Sequence, residues 1–197
     1  MIEQLALGAN PAAWSDAGFA VSDSEAMAGT VRLRFELGEG ILGWWLDSVG
    51  PAEIDGLPVV RPAEGEVAAG DHPNGVTQID HVVVLSPDLE RTTLAFDAAR
   101  IERRRVREVE TGDGLLRQGF FRLGEVILEV VEHGKVEPGP ARFWGITFTV
   151  SDLDAAAELL GDRLGSIRDA VQPGRRIATV RRSAGLGLPI ALISARD

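Results

Sequence analysis

The sequence predicts an α+β protein built from a repeated β-α-β-β-β unit, and three observations predict it. The order strand, helix, three strands can be read three times along the 197 residues. Residues 33–43 (LRFELGEGILG) match 119–129 (GFFRLGEVILE), sharing Leu-Gly-Glu and Ile-Leu in place, and 185–193 (GLGLPIALI) is a weaker third copy. At the strand-to-helix junctions, SPDL (86–89) and VSDL (150–153) align by Asp-Leu, and ANPAA (9–13) joins them through its proline. Internal repeats constrain architecture strongly. A unit of this kind leaves one sheet face apolar, which another unit must cover.

In the first unit, residues 2–9 read as an apolar strand. Asn10 caps a helix that starts at Pro11 and ends at Gly18. Residues 19–21 read as a second short strand and 22–28 as a polar loop. Residues 31–35 (VRLRF) alternate apolar and charged, the mark of a strand with one wet face, and 41–46 (ILGWWL) complete the unit. Trp44 and Trp45 point to opposite faces of that strand, so one is expected inside and the other free to meet a partner. Residues 47–76 are rich in Pro, Gly, Ala and acids and read as a linker, with 57–60 apolar enough for one edge strand.

The second unit runs over 77–132: strand 79–85, helix 87–98, then strands 101–107, 115–122 and 126–131. Ser86 is the expected N-cap, with Pro87 in the first turn and Asp88 adding negative charge there. Arg103, Arg104 and Arg105 suit a charged edge strand that discourages sheet-to-sheet pairing. The third unit runs over 141–197: strand 143–150, helix 152–160 capped by Ser151, then strands 166–170, 176–181 and 189–194. The expected division is therefore a degenerate first module (1–48), a linker (49–76), and a domain of two paired modules (77–197).

Composition excludes several classes. A net charge of −10 disfavours nucleic acid or an anionic membrane as partner, because phosphate binding needs a basic surface. The absence of cysteine rules out disulfides, thiolate metal sites and cysteine nucleophiles. No apolar run approaches the roughly 18 residues of a membrane span, and no basic-then-apolar leader opens the chain, so a cytoplasmic protein is the expectation. Gly185-Leu186-Gly187 precedes a strand and no helix, so it reads as a turn and not a phosphate loop.

The stretch 79–89 (IDHVVVLSPDL) holds the one feature its sister stretches lack, His81 inside an apolar run. Glu129 sits likewise inside ILEVV, where a carboxylate facing the core needs a partner. A hydrogen bond between the two would satisfy both and make a general base; a shared metal ion would satisfy both as well. A core histidine content with ordinary hydrogen bonds is the plain alternative for His81. Arg117, Phe120 and Trp144 stand at strand positions suited to lining or rimming a ligand site.

IDHVVVLSPDLERT with RLGEVILEVVEH, and FWGITFTVSDLDAA with GLPIALIS, resemble the vicinal oxygen chelate superfamily: glyoxalase I, the bleomycin-resistance proteins and the extradiol dioxygenases. The resemblance covers residues 77–194 well and 2–46 more loosely. It implies that paired modules form a cupped, incompletely closed, glyoxalase-like barrel that holds a small organic molecule. The implied chemistry is that of a lyase, isomerase or dioxygenase, or of a sequestering protein without metal or reaction. It also implies a divalent metal ion in metal-dependent members, held by His, Gln or Glu on the first and last strands of each module. Carried over, those positions are His81 and Glu129 in the second unit, Gly145 and Ala191 in the third, and Leu5 and Gly43 in the first. Only the second unit offers donors, which is half of a four-ligand set; Glu132, His133 and His72 are further donors by residue type. An odd first module needs cover from its own chain or from a copy, and a homodimer is the expectation.

Overall fold

The computed structural model describes residues 1–47, 51–65, 67 and 70–196. The expected boundary at 48–49 and parts of the 49–76 linker lie outside the described residues. The described elements follow in chain order. The first unit comprises β1 (Ile2–Gly8), α1 (Pro11–Asp16), β2 (Glu25–Ala28), β3 (Val31–Glu36) and β4 (Gly40–Leu46). A small hairpin follows, β5 (Glu53–Ile54) with β6 (Leu57–Pro58). The second unit is β7 (Val76–Leu85), α2 (Leu89–Ala98), β8 (Arg103–Thr111), β9 (Gly114–Leu123) and β10 (Val126–His133). The third is β11 (Arg142–Val150), α3 (Leu153–Leu160), β12 (Arg168–Asp169), β13 (Arg176–Thr179) and β14 (Ile190–Ser194).

The second and third units join edge to edge into one eight-stranded sheet, in the order β12-β13-β14-β11-β7-β10-β9-β8. Their first strands, β7 and β11, pair antiparallel at the centre, and each pairs parallel with the last strand of its own unit. Val82 faces Ile146 across the junction. Around that pair the register is mirrored, for His81 faces Thr147 while Val83 faces Gly145. Val83 also pairs with Glu129 on β10, as Thr147 pairs with Ala191 on β14. Gly145 and Ala191 thus occupy the pseudo-twofold positions of His81 and Glu129.

Three register shifts interrupt the junction, and two of them fall at matching places. One step of β11, Thr147 to Phe148, spans two of β7, leaving Asp80 as the extra residue; at the mirrored place Trp144 is the extra residue of β11. Each is a β-bulge, which re-aims a side chain that strict alternation would send to the other face. Gly145 stands beside the second bulge, where a Cβ would lie 2.5 Å from the Pro189 carbonyl oxygen. The third unit's counterpart of His81 is therefore closed to any side chain unless the backbone moves.

One face of the eight-stranded sheet carries Val82, Val84, Ile146, Phe148, Leu128 and Phe121, all essentially buried. Helix α2 covers part of it through Leu89 and Phe96, and α3 another part through Leu153, Ala156 and Leu160. The first unit covers the middle. Trp44 packs edge-on against Phe143 at 5.2 Å and near Phe96 at 6.1 Å, while Phe19 and Trp14 meet Phe148 at 5.2 and 6.0 Å. Trp14 also donates its indole N–H to the Leu186 carbonyl. The apolar face behind the homodimer expectation is thus covered within the chain. Trp44 is buried as one of the tryptophan pair, and Trp45 is half-buried.

Three local expectations are corrected. The second strand of the first unit is Glu25–Ala28, not residues 19–21, because Phe19 turns into the aromatic cluster instead of a ladder. The helix caps are Asp88 and Asp152, two residues and one residue later than expected; Ser86 instead closes the preceding turn on the Asp88 N–H. The first unit also has its own strand order, β2-β3-β1-β4, in which β1 separates the two strands that pair directly in the second unit as β9 and β10. The nearly all-buried pattern of β1 suits a central strand better than an edge. The charged edge is observed, since β8 ends the large sheet.

All three units share one contiguous core. Trp14→Ala removes a fully buried ring at the contact between the first and third units and should cost about 3–5 kcal/mol. Urea unfolding should still show a single transition for both proteins; a separate early transition of the first unit would contradict the shared core.

Candidate functional site

The open face of the large sheet brings the titratable pair expected from the sequence together. His81 on β7 and Glu129 on β10 lie on adjacent strands, each about 15% exposed, with Nε2 and Oε2 3.8 Å apart. The bulge places the Asp80 carboxylate beside the same imidazole, and Nδ1 donates to Asp80 Oδ2 at 2.8 Å. Strict alternation would have put neighbours 80 and 81 on opposite faces. Asp80 is held in turn by Arg175, whose guanidinium is only 3% exposed. Arg175 bonds Asp80 Oδ1, the Thr149 hydroxyl and, through Nε, the Ser194 carbonyl at 2.7 Å. Gln118 on β9 donates to Glu129 Oε1, while its own amide oxygen is buried with no hydrogen-bond partner. An unpaired buried acceptor of this kind is costly, and few are left in a folded protein.

Burial pushes the Asp80 carboxyl upward, but the bonds from His81 and Arg175 outweigh it and leave the group at about 2. Asp80 is therefore a carboxylate at neutral pH and can only accept, so the proton on Nδ1 belongs to His81. That assigns the neutral-ring tautomer and leaves Nε2 as the free nitrogen, facing Glu129.

Asp80, Arg175 and Gln118 were not among the residues expected from the sequence. Only Asp80 left a signal there, a charge inside an apolar strand next to the histidine. Of the expected ligand-binding residues, Phe120 lies directly across from Glu129 and carries the Arg105 guanidinium 4.8 Å above its ring. Arg117 lies on the helix-covered side, bonded to Glu90, Glu108 and Glu132. Trp144 stands at the second bulge, half-exposed, against a different cavity. The structure brings together His81, Glu129 and Phe120 and leaves the other two apart from them.

A metal ion would find His81 Nε2 and Glu129 Oε2 as donors, but among the described residues no group of three or more His, Asp or Glu is placed to hold one. Glu132 accepts the Leu89 backbone N–H at 2.6 Å, and His133 takes the Lys135 N–H. His72 lies in the linker, Nδ1 accepting from the Ala20 N–H and Nε2 donating to the Met27 carbonyl. The donor set does not fit a resident metal centre, since two protein ligands leave an ion held mainly by water. A cavity of about 380 Å³ adjoins the Asp80–Arg175 pair and is bordered by Gln78, Arg122, Glu125 and Arg196. Among the described residues no helix is long and apolar enough to cross a membrane.

No family model and no curated protein sequence matches the chain. Solved structures do. Methylmalonyl-CoA epimerase of Streptomyces coelicolor, in complex with 2-nitronate-propionyl-CoA, superposes with a TM-score of 0.50 and 20% identity, over 62% of this chain and 99% of that one. A hypothetical protein from Bacillus halodurans gives 0.50 at 11% identity, over 61% and 95%. The Mycobacterium tuberculosis methylmalonyl-CoA epimerase gives 0.49 at 22% identity, over 62% and 91%. At these identities the likeness is one of fold: α+β, mostly strand, with sheets not closed into barrels.

The lowered Asp80 carboxyl has a consequence for stability. A group whose folded value lies below its unfolded value of 3.8 stabilises fully above that pH and loses its contribution as pH falls toward about 2. The span is worth about 2 kcal/mol. Wild-type stability should drop by roughly that amount across this acid window. Asp80→Asn should already lack it at neutral pH and show a flatter curve there; equal acid slopes in both proteins would contradict the assignment.

Proposed function

We propose that this protein binds a small organic molecule on the open face of the sheet formed by residues 77–132 and 141–197, and moves a proton on it with His81 and Glu129. One observation carries the reading: two proton acceptors 3.8 Å apart on neighbouring strands, one of them oriented from behind by a buried ion pair. An atom about 2.8 Å from each fits between them, within hydrogen-bond reach of both. A proton leaving a carbon beside a carbonyl would pass to the Glu129 carboxylate or to Nε2, while Asp80 keeps Nδ1 protonated and steadies the imidazole if it becomes charged. Among lyase, isomerase and dioxygenase chemistry, this arrangement supports the isomerase best, and an epimerase among the fold neighbours belongs to that class. Phe120 supplies an apolar wall.

The second reading is a protein that sequesters its compound without reaction, in the manner of the bleomycin-resistance proteins. It is favoured by the third unit, where Gly145 and Ala191 stand at the positions of His81 and Glu129 and supply no reactive group.

Solvent exchange separates the two. The protein is incubated in heavy water with a panel of small acyl thioesters and 2-substituted carboxylic acids, and loss of the C–H signal beside the carbonyl is followed by NMR. The first reading expects exchange with at least one member, slowed about 100-fold or more by Glu129→Gln and by His81→Ala. Saturable binding weakened by those variants but without exchange supports sequestration. Exchange that survives both variants would overturn the assigned roles.

A further inference from the structure

The mirrored register sets a second cavity opposite the first. The cavity beside Asp80 is lined by Asp80, Ile127 and Glu125, and its counterpart is lined by Trp144, Pro189 and Gly187 at the pseudo-twofold positions. The counterpart is the roomier, about 680 Å³, and within the 300–1,000 Å³ typical of small-molecule sites. Its chemistry is unlike that of the first. The bulge turns the Trp144 ring outward, leaving it 50% exposed, whereas Trp14 and Trp44 are wholly buried. Val180, Leu186, Leu188 and Pro189 supply an apolar lining.

The lining also carries Arg181, Arg182 and a single carboxylate, Glu39. Arg181 gives only its Nε to the Leu164 carbonyl, and the Arg182 guanidinium has no ion-pair partner among the described residues. Among the described residues neither guanidinium is paired to a carboxylate, in a chain of net charge −10, and both border the same cavity as the exposed indole.

The walls are held in place before any ligand arrives. Gly187 O accepts from the Gly40 N–H, Leu186 O accepts from the Trp14 indole, and the turn ends in a left-handed Gly185. A fixed apolar cavity with an exposed indole and guanidinium groups suits a flat ring bearing negative charge: the ring stacks on Trp144, and the anion meets the arginines.

We propose that the cavity between Trp144 and the Arg181–Arg182 turn is a second binding site, specific for planar aromatic anions and separate from the His81–Glu129 pair. Aromatic carboxylates and nucleoside monophosphates share that chemistry, so the test uses 2-naphthoate and AMP as separate probes. The comparison compounds are 2-naphthalenemethanol, which lacks the charge, and cyclohexanecarboxylate, which lacks the aromatic ring. Binding to the full chain is read by calorimetry. At least one aromatic anion should bind with a dissociation constant of about 1 mM or tighter, and the comparison compounds about tenfold more weakly. Which probe binds identifies the source of the ring. Trp144→Ala and the Arg181→Ser/Arg182→Ser double variant should each weaken binding about tenfold, and His81→Ala should leave it unchanged. Circular dichroism checks that the variants fold, and the arginine pair, lying at the surface, keeps the test decisive if Trp144→Ala does not. Binding of neither probe, binding that survives the arginine variant, or binding abolished by His81→Ala would overturn the proposal.

Discussion

The antiparallel pairing of β7 with β11 is the constraint on which the rest of the molecule depends. It joins two units into one sheet, and its centre is the contact of Val82 with Ile146. Because the two strands are related by an approximate twofold, two of their three register shifts fall at mirrored places, and each of these bulges exports one side chain from the normal alternation. On β7 the exported residue is Asp80, which can then reach the imidazole next to it. On β11 it is Trp144, which faces solvent. One geometric device thus generates an electrostatic site at one end of the junction and an aromatic cavity at the other.

The electrostatic end is built in depth. Arg175 and Asp80 are both nearly excluded from water, a placement that is costly unless each charge meets the other and the remaining donors are satisfied. Here the guanidinium is satisfied by a carboxylate, a hydroxyl and a backbone carbonyl, so the pair fixes Asp80 firmly. Asp80 fixes the tautomer of His81, and the free nitrogen then points toward Glu129. The order of dependence runs from Arg175, just before β13, inward to the open face. In the first unit Trp14 and Trp44 cover the opposite face of the sheet.

Much of the architecture was legible in the chain. The thrice-repeated element order reflects one unit reused; Gly145 could be counted back from the Asp152-Leu153 junction, because helix caps sit at a set distance from the strand, and Ala191 matched through the LPIALI strand. Less visible was whatever depends on partners distant in sequence. Asp80 drew no expectation, since period two puts neighbours on opposite faces until a bulge interrupts it, and a bulge is defined by two strands together. Arg175 stands just past a Pro-Gly turn, where an arginine is ordinarily solvated; only the fold carries it to Asp80, 95 residues away. Arg117 looked like a ligand residue for the opposite reason, since nothing in β9 alone says which face meets α2. The Leu-Gly-Glu match between the first and second units overstated their likeness, because the same turn can join paired strands or strands parted by a third.

The central claim is that the Arg175–Asp80 pair holds His81 with its proton on Nδ1 and its free nitrogen toward Glu129. Nitrogen-15 NMR of the imidazole rings tests it most directly, because the protein has only three histidines and His81→Gln assigns the signal. The account predicts that the neutral ring of His81 carries its proton on Nδ1 and leaves Nε2 bare. A neutral ring with its proton on Nε2 and a bare Nδ1 would contradict it.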